Sequence, residues 1–142
     1  MSILIKKGIT GFHSIREALP AMNDYKNFRK ICYSMQNVLN RKIIDTDNPD
    51  YTNYFLTEFD NKLYFLLNKY YPIAGFTNEI STPEKIFIDA EFDFFTEYEI
   101  IPAVILNSGF KETENNLSQC ELEQVKYYNP VSVGNIIFNE WD

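Results

Sequence analysis

Two pieces of the chain decide its fold: Asp24 to Leu39, which reads DYKNFRKICYSMQNVL, and Tyr51 to Asn68, which reads YTNYFLTEFDNKLYFLLN. In the first, Phe28, Ile31, Cys32, Met35, Val38 and Leu39 recur at three- and four-residue steps. Such spacing lays one apolar stripe along a helix of about four turns. Asn23 or Asp24 is placed to cap its start, and Arg41-Lys42 suits the negative end of its dipole. In the second piece the period changes. Tyr51 to Phe59 and Lys62 to Asn68 are rich in aromatic and branched residues, with Asp60-Asn61 between them, which predicts a β-hairpin. A helix over 24–40 packed on a short antiparallel sheet that contains the hairpin 51–68 is an α+β arrangement.

Outward from this centre the elements are shorter. Ser2 to Thr10 is apolar and β-branched and reads as a strand, and Ser14-Ile15-Arg16-Glu17 has the capping-box form of a helix that stops before Pro20. Tyr71 to Thr77 and Lys85 to Asp89 read as strands joined by the polar loop Thr77 to Glu84, with Pro72 placing the start of its strand at an edge. Glu91 to Tyr98 and Glu99 to Ser108 are open to a helical reading, with Pro102 near a first turn and Gly109 as a stop. Asn116 to Gln124 is expected as helix and Val125 to Tyr128 as strand, broken by Asn129-Pro130. Ser132 would cap a last helix carrying Ile136, Ile137 and Trp141. Without repeats, Gly/Ser linkers or low-complexity tracts, residues 1–142 are expected to form a single domain.

Composition narrows the function classes. The chain has 142 residues, 45% apolar and 23% charged, the mix of an ordinary folded domain. Twenty Asp and Glu against 13 Lys and Arg give a net charge of −7, which argues against a nucleic-acid binder, since that function needs a basic patch. A single histidine, His13, and two cysteines, Cys32 and Cys120, leave little for His/Cys metal chemistry. Both cysteines are expected to be reduced, Cys32 as a small apolar residue of the helix stripe. Met1 to Gly8 lacks the apolar run of a secretory signal, and Leu63 to Leu67 and Ile100 to Leu106 fall far short of the roughly 20 residues of a membrane span. A cytoplasmic location is the expectation.

Charge is divided unevenly along the chain. Residues 1–78 carry a net +3 and residues 79–142 a net −10. Glu84, Asp89, Glu91, Asp93, Glu97 and Glu99 crowd together with Lys85 alone to offset them. One reading is a solvated face that keeps a small protein soluble. The sharper one is a surface that meets a basic partner, such as a nuclease groove, with an exposed aromatic such as Tyr98 as anchor. As metal ligands the same residues are weak. Asp89-Ala90-Glu91-Phe92-Asp93 has neither the Gly at the sixth position of a calcium loop nor the Glu at its twelfth, which is Ile100. A two-carboxylate magnesium site is the residual possibility.

Motifs for catalysis are not found. The five glycines, at 8, 11, 75, 109 and 134, form no phosphate loop. His13 beside a helix start reads as a surface or cap residue in place of a triad base. Carboxylate pairs arise by chance in an acidic chain. The 22 Tyr and Phe residues read as core, because stacking platforms for single strands sit in positive grooves. No catalytic residue, metal or cofactor is assigned.

The C-terminus reads Tyr127-Tyr128-Asn129-Pro130-Val131-Ser132-Val133-Gly134-Asn135-Ile136-Ile137-Phe138-Asn139-Glu140-Trp141-Asp142. It resembles the closing aromatic-x-Pro-x-x-(Val/Ile)-Gly-x-(Ile/Val)-(Ile/Val)-Phe-Asn-x-Trp-Asp of immunity proteins encoded beside secreted polymorphic or contact-dependent growth-inhibition toxins of bacteria. Gly8 to Phe12 and the Phe28 to Leu39 helix carry a weaker echo. The resemblance implies a cytoplasmic, non-enzymatic inhibitor of a cognate toxin C-terminal domain, with a basic nuclease as the expected partner and no direct contact to nucleic acid or membrane. Read physically, the ending is an anchor: Ile136, Ile137, Phe138 and Trp141 pin the tail to the core. It carries over no contact residues, so the expected partner surface comes from the acidic segment: Glu84, Asp89, Glu91, Asp93, Glu97, Tyr98 and Glu99. A scaffold for a non-toxin partner and a metal-dependent acidic-site hydrolase are the competing readings.

Overall fold

The computed structural model describes residues 5–14, 18–82, 84–90 and 97–141. The expected helix is α1, Tyr25–Leu39. Asp24 caps it, its carboxylate accepting from the Lys26 N–H at 3.0 Å, and Asn40 ends it in the left-handed conformation at φ 52°. Phe28, Cys32, Met35 and Leu39 form its buried stripe, while Ile31 is half-buried and Val38 lies at the exposed margin. Arg41 lies just past the Asn40 cap, outside the last turn of α1, which holds no basic residue. Its guanidinium donates to the Asp60 carbonyl at 2.8 Å, tying the end of α1 to the hairpin turn.

Five strands follow in spatial order: β1 Ile43–Asp47, β2 Tyr54–Phe59, β3 Leu63–Asn68, β4 Ile73–Thr77 and β5 Phe87–Ile88. A sixth, β6 Glu99–Ile100, runs parallel to β4 and pairs with Ile73 and Ala74, whereas β5 pairs antiparallel with Phe76 and Thr77. The hairpin is present, with Phe59 opposite Leu63 and positive φ at Asn61 and Lys62 closing the turn. Strand β1, made largely of polar residues, has no counterpart in the sequence reading and lies at the sheet edge. There its charges face water and blunt an otherwise open edge. Pro72 stands just before β4, but the strand is not an edge. Where an edge strand would leave an open ladder, Glu99 donates its N–H to the Pro72 carbonyl at 2.8 Å.

Period-two alternation sends the hairpin's side chains to two cores. Phe55, Phe59, Leu63, Phe65, Leu67, Ala74 and Phe76 pack under α1. Tyr54, Leu66 and Ile73 face the opposite side, where Phe87, Leu106, Ile136 and Phe138 cover them. Gly75 makes that cover possible, since a Cβ there would lie 2.7 Å from Leu106 and 3.3 Å from Phe138.

Beyond β6 come α2 Ala103–Leu106, a single 3-10 turn at Glu112–Glu114, α3 Gln119–Tyr128 and α4 Gly134–Ile137. Glu99–Ser108 therefore divides into strand and one helical turn, because Pro102 cannot join a helix begun before it. Val125–Tyr128 is the end of α3, not a strand. The capping box of Ser118 and Glu121 starts that helix late, and left-handed Asn129 ends it. The last helix is only one turn long and stops before Trp141. Val133, not Ser132, stands at its N-cap without a side-chain cap bond, and Ser132 instead accepts from the Asn135 side chain at 2.7 Å. At the N-terminus, Ile5 makes one bridge to Asn115 and the chain then turns, so the described part of Ser2–Thr10 is not a strand. The centre of the Ser14–Glu17 helix and most of the Glu91–Tyr98 helix lie outside the described residues.

Candidate partner-binding groove

The tail is held by amides rooted in the sheet. Asn53 and Asn68 each donate to the carbonyls of Ile9 and Ile137, at 2.8 to 2.9 Å. Asn53 accepts from the Asn139 N–H at 2.6 Å. A buried chain segment needs its backbone groups satisfied, and these side chains do it where no ladder can reach. The result is a Phe138-Asn139-Glu140-Trp141 ending tied down beside the loop that leads into β5.

Between that ending and the loop lies a groove of about 740 Å³. Tyr128, Pro130 and Trp141 line one part, and Asn78, Thr82 and Ile86 another. The Trp141 and Tyr128 rings are parallel to within 3° at 5.0 Å, and Phe12 supports Trp141 from 6.2 Å. Ile86 is 74% exposed, as is Tyr127 at 79% beside the stack. Large apolar side chains held open to water next to a cavity mark a surface suited to a macromolecular contact.

Three carboxylates join this lining: Glu79, Glu84 and Glu140. Glu79 is held by the Ser81 hydroxyl and N–H, at 2.6 and 2.9 Å, which keep its carboxyl below the usual range. Glu140 is tethered through Oε1, which accepts from the Tyr54 hydroxyl at 2.6 Å and pairs with the Lys85 ammonium at 3.2 Å. Lys85 itself is 1% exposed, its ammonium 5.3 Å from the Tyr54 ring centre. Asn135 fixes its backbone from both sides, accepting at 2.7 Å and donating at 3.0 Å. Burial pushes the Lys85 ammonium down and the Glu140 charge opposes that shift; burial pushes the Tyr54 phenol up.

The acidic segment does not converge on one point. Glu84 is exposed in the groove. Asp89 instead accepts from the Ala103 N–H at 2.8 Å, at the start of α2. Glu97 accepts from the Asn27 side chain on α1, and Glu99 is exposed on β6. Tyr98 is the clear correction. It is 7% exposed and packs in the α1 core, because Glu99 enters the sheet edge and the alternation turns its neighbour inward. Glu91 and Asp93 lie outside the described residues. Glu79 and Glu140 were missed by the sequence reading. Glu140 occupies the variable place in the Phe-Asn-x-Trp ending, the one signal that could have pointed to it. Lys85, counted as the counter-charge of the segment, is spent on the tail.

Among the described residues no three His, Cys, Asp or Glu side chains gather as a metal site, and no helix is long and apolar enough to cross a membrane. Cys32 is a buried free thiol. Comparison of the chain with protein-family models, curated proteins and solved structures finds no match.

Proposed function

We propose that this chain is an immunity protein, a stoichiometric cytoplasmic inhibitor that binds a cognate secreted toxin domain and occludes its active site or an adjacent surface. The observation that carries the binding part of this reading is the groove beside the tail, with open aromatic and aliphatic side chains and an acidic rim. Such a surface complements a basic protein and repels nucleic acid. The resemblance of the ending supplies the kind of partner, and a nuclease domain, basic where it holds its substrate, fits the charge. Glu84, Glu97 and Glu99 are exposed and suited to steering such a partner, which raises the rate of encounter more than the lifetime of the complex.

The test is co-expression with the toxin domain encoded beside this chain, followed by affinity copurification and a growth assay. Copurification at one-to-one stoichiometry together with rescued growth supports the reading. A domain that is harmless alone and does not copurify overturns it, and a scaffold role for another partner then takes its place. In the supporting case, Glu84→Lys, Glu97→Lys and Glu99→Lys combined slow association and flatten its dependence on salt.

A further inference from the structure

We propose that the chain pairs with a second copy of itself through a different groove, the one framed by α2 and the 3-10 turn, an inference that stands apart from the toxin-binding reading. This groove, of about 720 Å³, is lined on its apolar side by Pro102, Val104, Ile105, Phe110 and Val133. Hydrogen bonds fix its walls. The Val133 N–H donates to the Ser108 carbonyl at 2.8 Å, and the Asn107 amide holds the backbone of Phe87 from both sides, at 2.8 and 2.9 Å. Val104 is nevertheless 79% exposed. Each copy thus offers an apolar projection beside a hollow, the two halves of a contact that a twofold axis brings together.

Charge selects the occupant. Each copy carries a net −7, so a face that meets itself has to be locally neutral. The groove beside the tail would set Glu79, Glu84 and Glu140 against themselves, and the edge of β1 would do the same with Asp45 and Asp47. The α2 groove instead carries one charge of each sign, Lys111 and Glu114, with the neighbouring Glu112 outside its lining. Both are exposed, and among the described residues neither has an ion-pair partner. In an isologous contact every pair of residues meets twice, so the Lys111 of each copy faces the Glu114 of the other. A basic partner would meet Lys111 and an acidic one would meet Glu114. A face that bears the same two charges in reverse satisfies both.

Sedimentation equilibrium of the full chain is the test. Expected is a mass that rises from one chain toward two as concentration passes through about 0.1 mM, the strength of a small transient interface. Val104→Asp and Gly109→Gln are each expected to weaken pairing about tenfold. A Cβ at Gly109 meets nothing within 4 Å and its φ is not left-handed, so that variant folds and only crowds the groove from outside. Lys111→Glu and Glu114→Lys, each alone, place like charges together twice and weaken pairing about tenfold as well. Mixed with each other, those two variants recover it as a heterodimer, and the double variant Lys111→Glu/Glu114→Lys recovers it by itself. Ile86→Asp, in the groove beside the tail, leaves it unchanged. A single-chain mass at about 1 mM overturns the inference. So does pairing that withstands Val104→Asp and Gly109→Gln, pairing weakened equally by Ile86→Asp, or a mixture of the two charge variants that stays monomeric.

Discussion

The Lys85 ammonium lies 3.2 Å from Oε1 of Glu140, a pair in which one partner is 1% and the other 40% exposed. The asymmetry decides what each residue is for. Glu140 can fall back on water and on the Tyr54 hydroxyl, whereas Lys85 has been taken out of water and depends on the carboxylate. The ion pair therefore fixes the tail to the loop before β5 and sets the acidic edge of the groove.

Removing the two partners is accordingly unequal. Glu140→Ala strands a buried ammonium and is expected to cost about 3 kcal/mol, while Lys85→Met fills the same space without a charge and costs about 1 kcal/mol or less. The sign of the pH dependence follows from the lowered Lys85 value. A base whose folded-state value lies below its ordinary 10.5 is more protonated in the unfolded chain, so its penalty shrinks as pH rises toward 10.5. Urea unfolding at pH 7 and pH 10.5 checks both points: the Glu140→Ala deficit relative to wild type narrows at the higher pH. A larger loss in Lys85→Met than in Glu140→Ala would contradict the assignment.

Glu121 is a second anchor, on α3. It is fully buried and accepts from the Gly8 N–H at 2.8 Å, the Thr10 N–H at 3.1 Å, the Thr10 hydroxyl and the Ser118 N–H at 3.1 Å. One carboxylate thus closes a capping box and holds the Gly8–Gly11 turn, where both glycines have positive φ. Glu121→Ala leaves four donors without an acceptor, and a loss of about 3 kcal/mol is expected. Glu121→Gln keeps one carbonyl oxygen and loses less. Denaturant midpoints rank the two, and equal losses would mean that the single carbonyl oxygen of glutamine satisfies none of these donors.

The helix and the hairpin were legible because each carries its own period: 3.6 in Phe28, Cys32, Met35 and Leu39, and 2 in Phe55, Phe59, Leu63, Phe65 and Leu67. All nine of these positions face one shared core, so local pattern and burial agree. The C-terminal third was harder, because its elements are one to three turns long and held by side chains far away in sequence. Val125 to Tyr128 looks like a strand until Glu121 is known to cap the helix that contains it. Asn53, Asn68 and Asn139 give no periodic signal, and yet they hold the tail. The tail ending was recognisable as an anchor, but the groove beside it was not. Its lining comes from residues 78–86, 128–135 and 140–141, which only the fold brings together.

Two glycines under the tail distinguish forms of crowding. A Cβ at Gly134 would lie 2.3 Å from the Phe87 ring and 2.8 Å from the Leu106 carbonyl, a ring and a backbone atom that cannot easily give. At Gly75 the nearest atom is the terminal methyl of Leu106, 2.7 Å away on a flexible side chain. Gly134→Ala is expected to cost about 3 kcal/mol and Gly75→Ala about 1 kcal/mol. Thermal unfolding of the two variants tests the order, and the reverse order would mean that the Phe87 contact is soft.

Cys32 gives a prediction in pH. Its sulfur sits in the α1 core and accepts from the Thr57 hydroxyl at 3.2 Å, and burial pushes the thiol from 9.0 up to about 12, against a smaller opposing effect of that hydrogen bond. Between those values the unfolded chain releases the proton and the folded one keeps it, so folding loses stability as pH rises above 9. The loss from this one thiol is about 1.4 kcal/mol between pH 8 and pH 10. Tyr54 and Tyr98, also pushed up by burial, act in the same direction above 10. Comparing Cys32→Ala with wild type isolates the thiol, since the other groups contribute equally to both. The variant starts less stable because of its cavity, and the gap between the two proteins should close by about that amount from pH 8 to pH 10. A gap that stays constant would mean that the sulfur reaches water in the folded state.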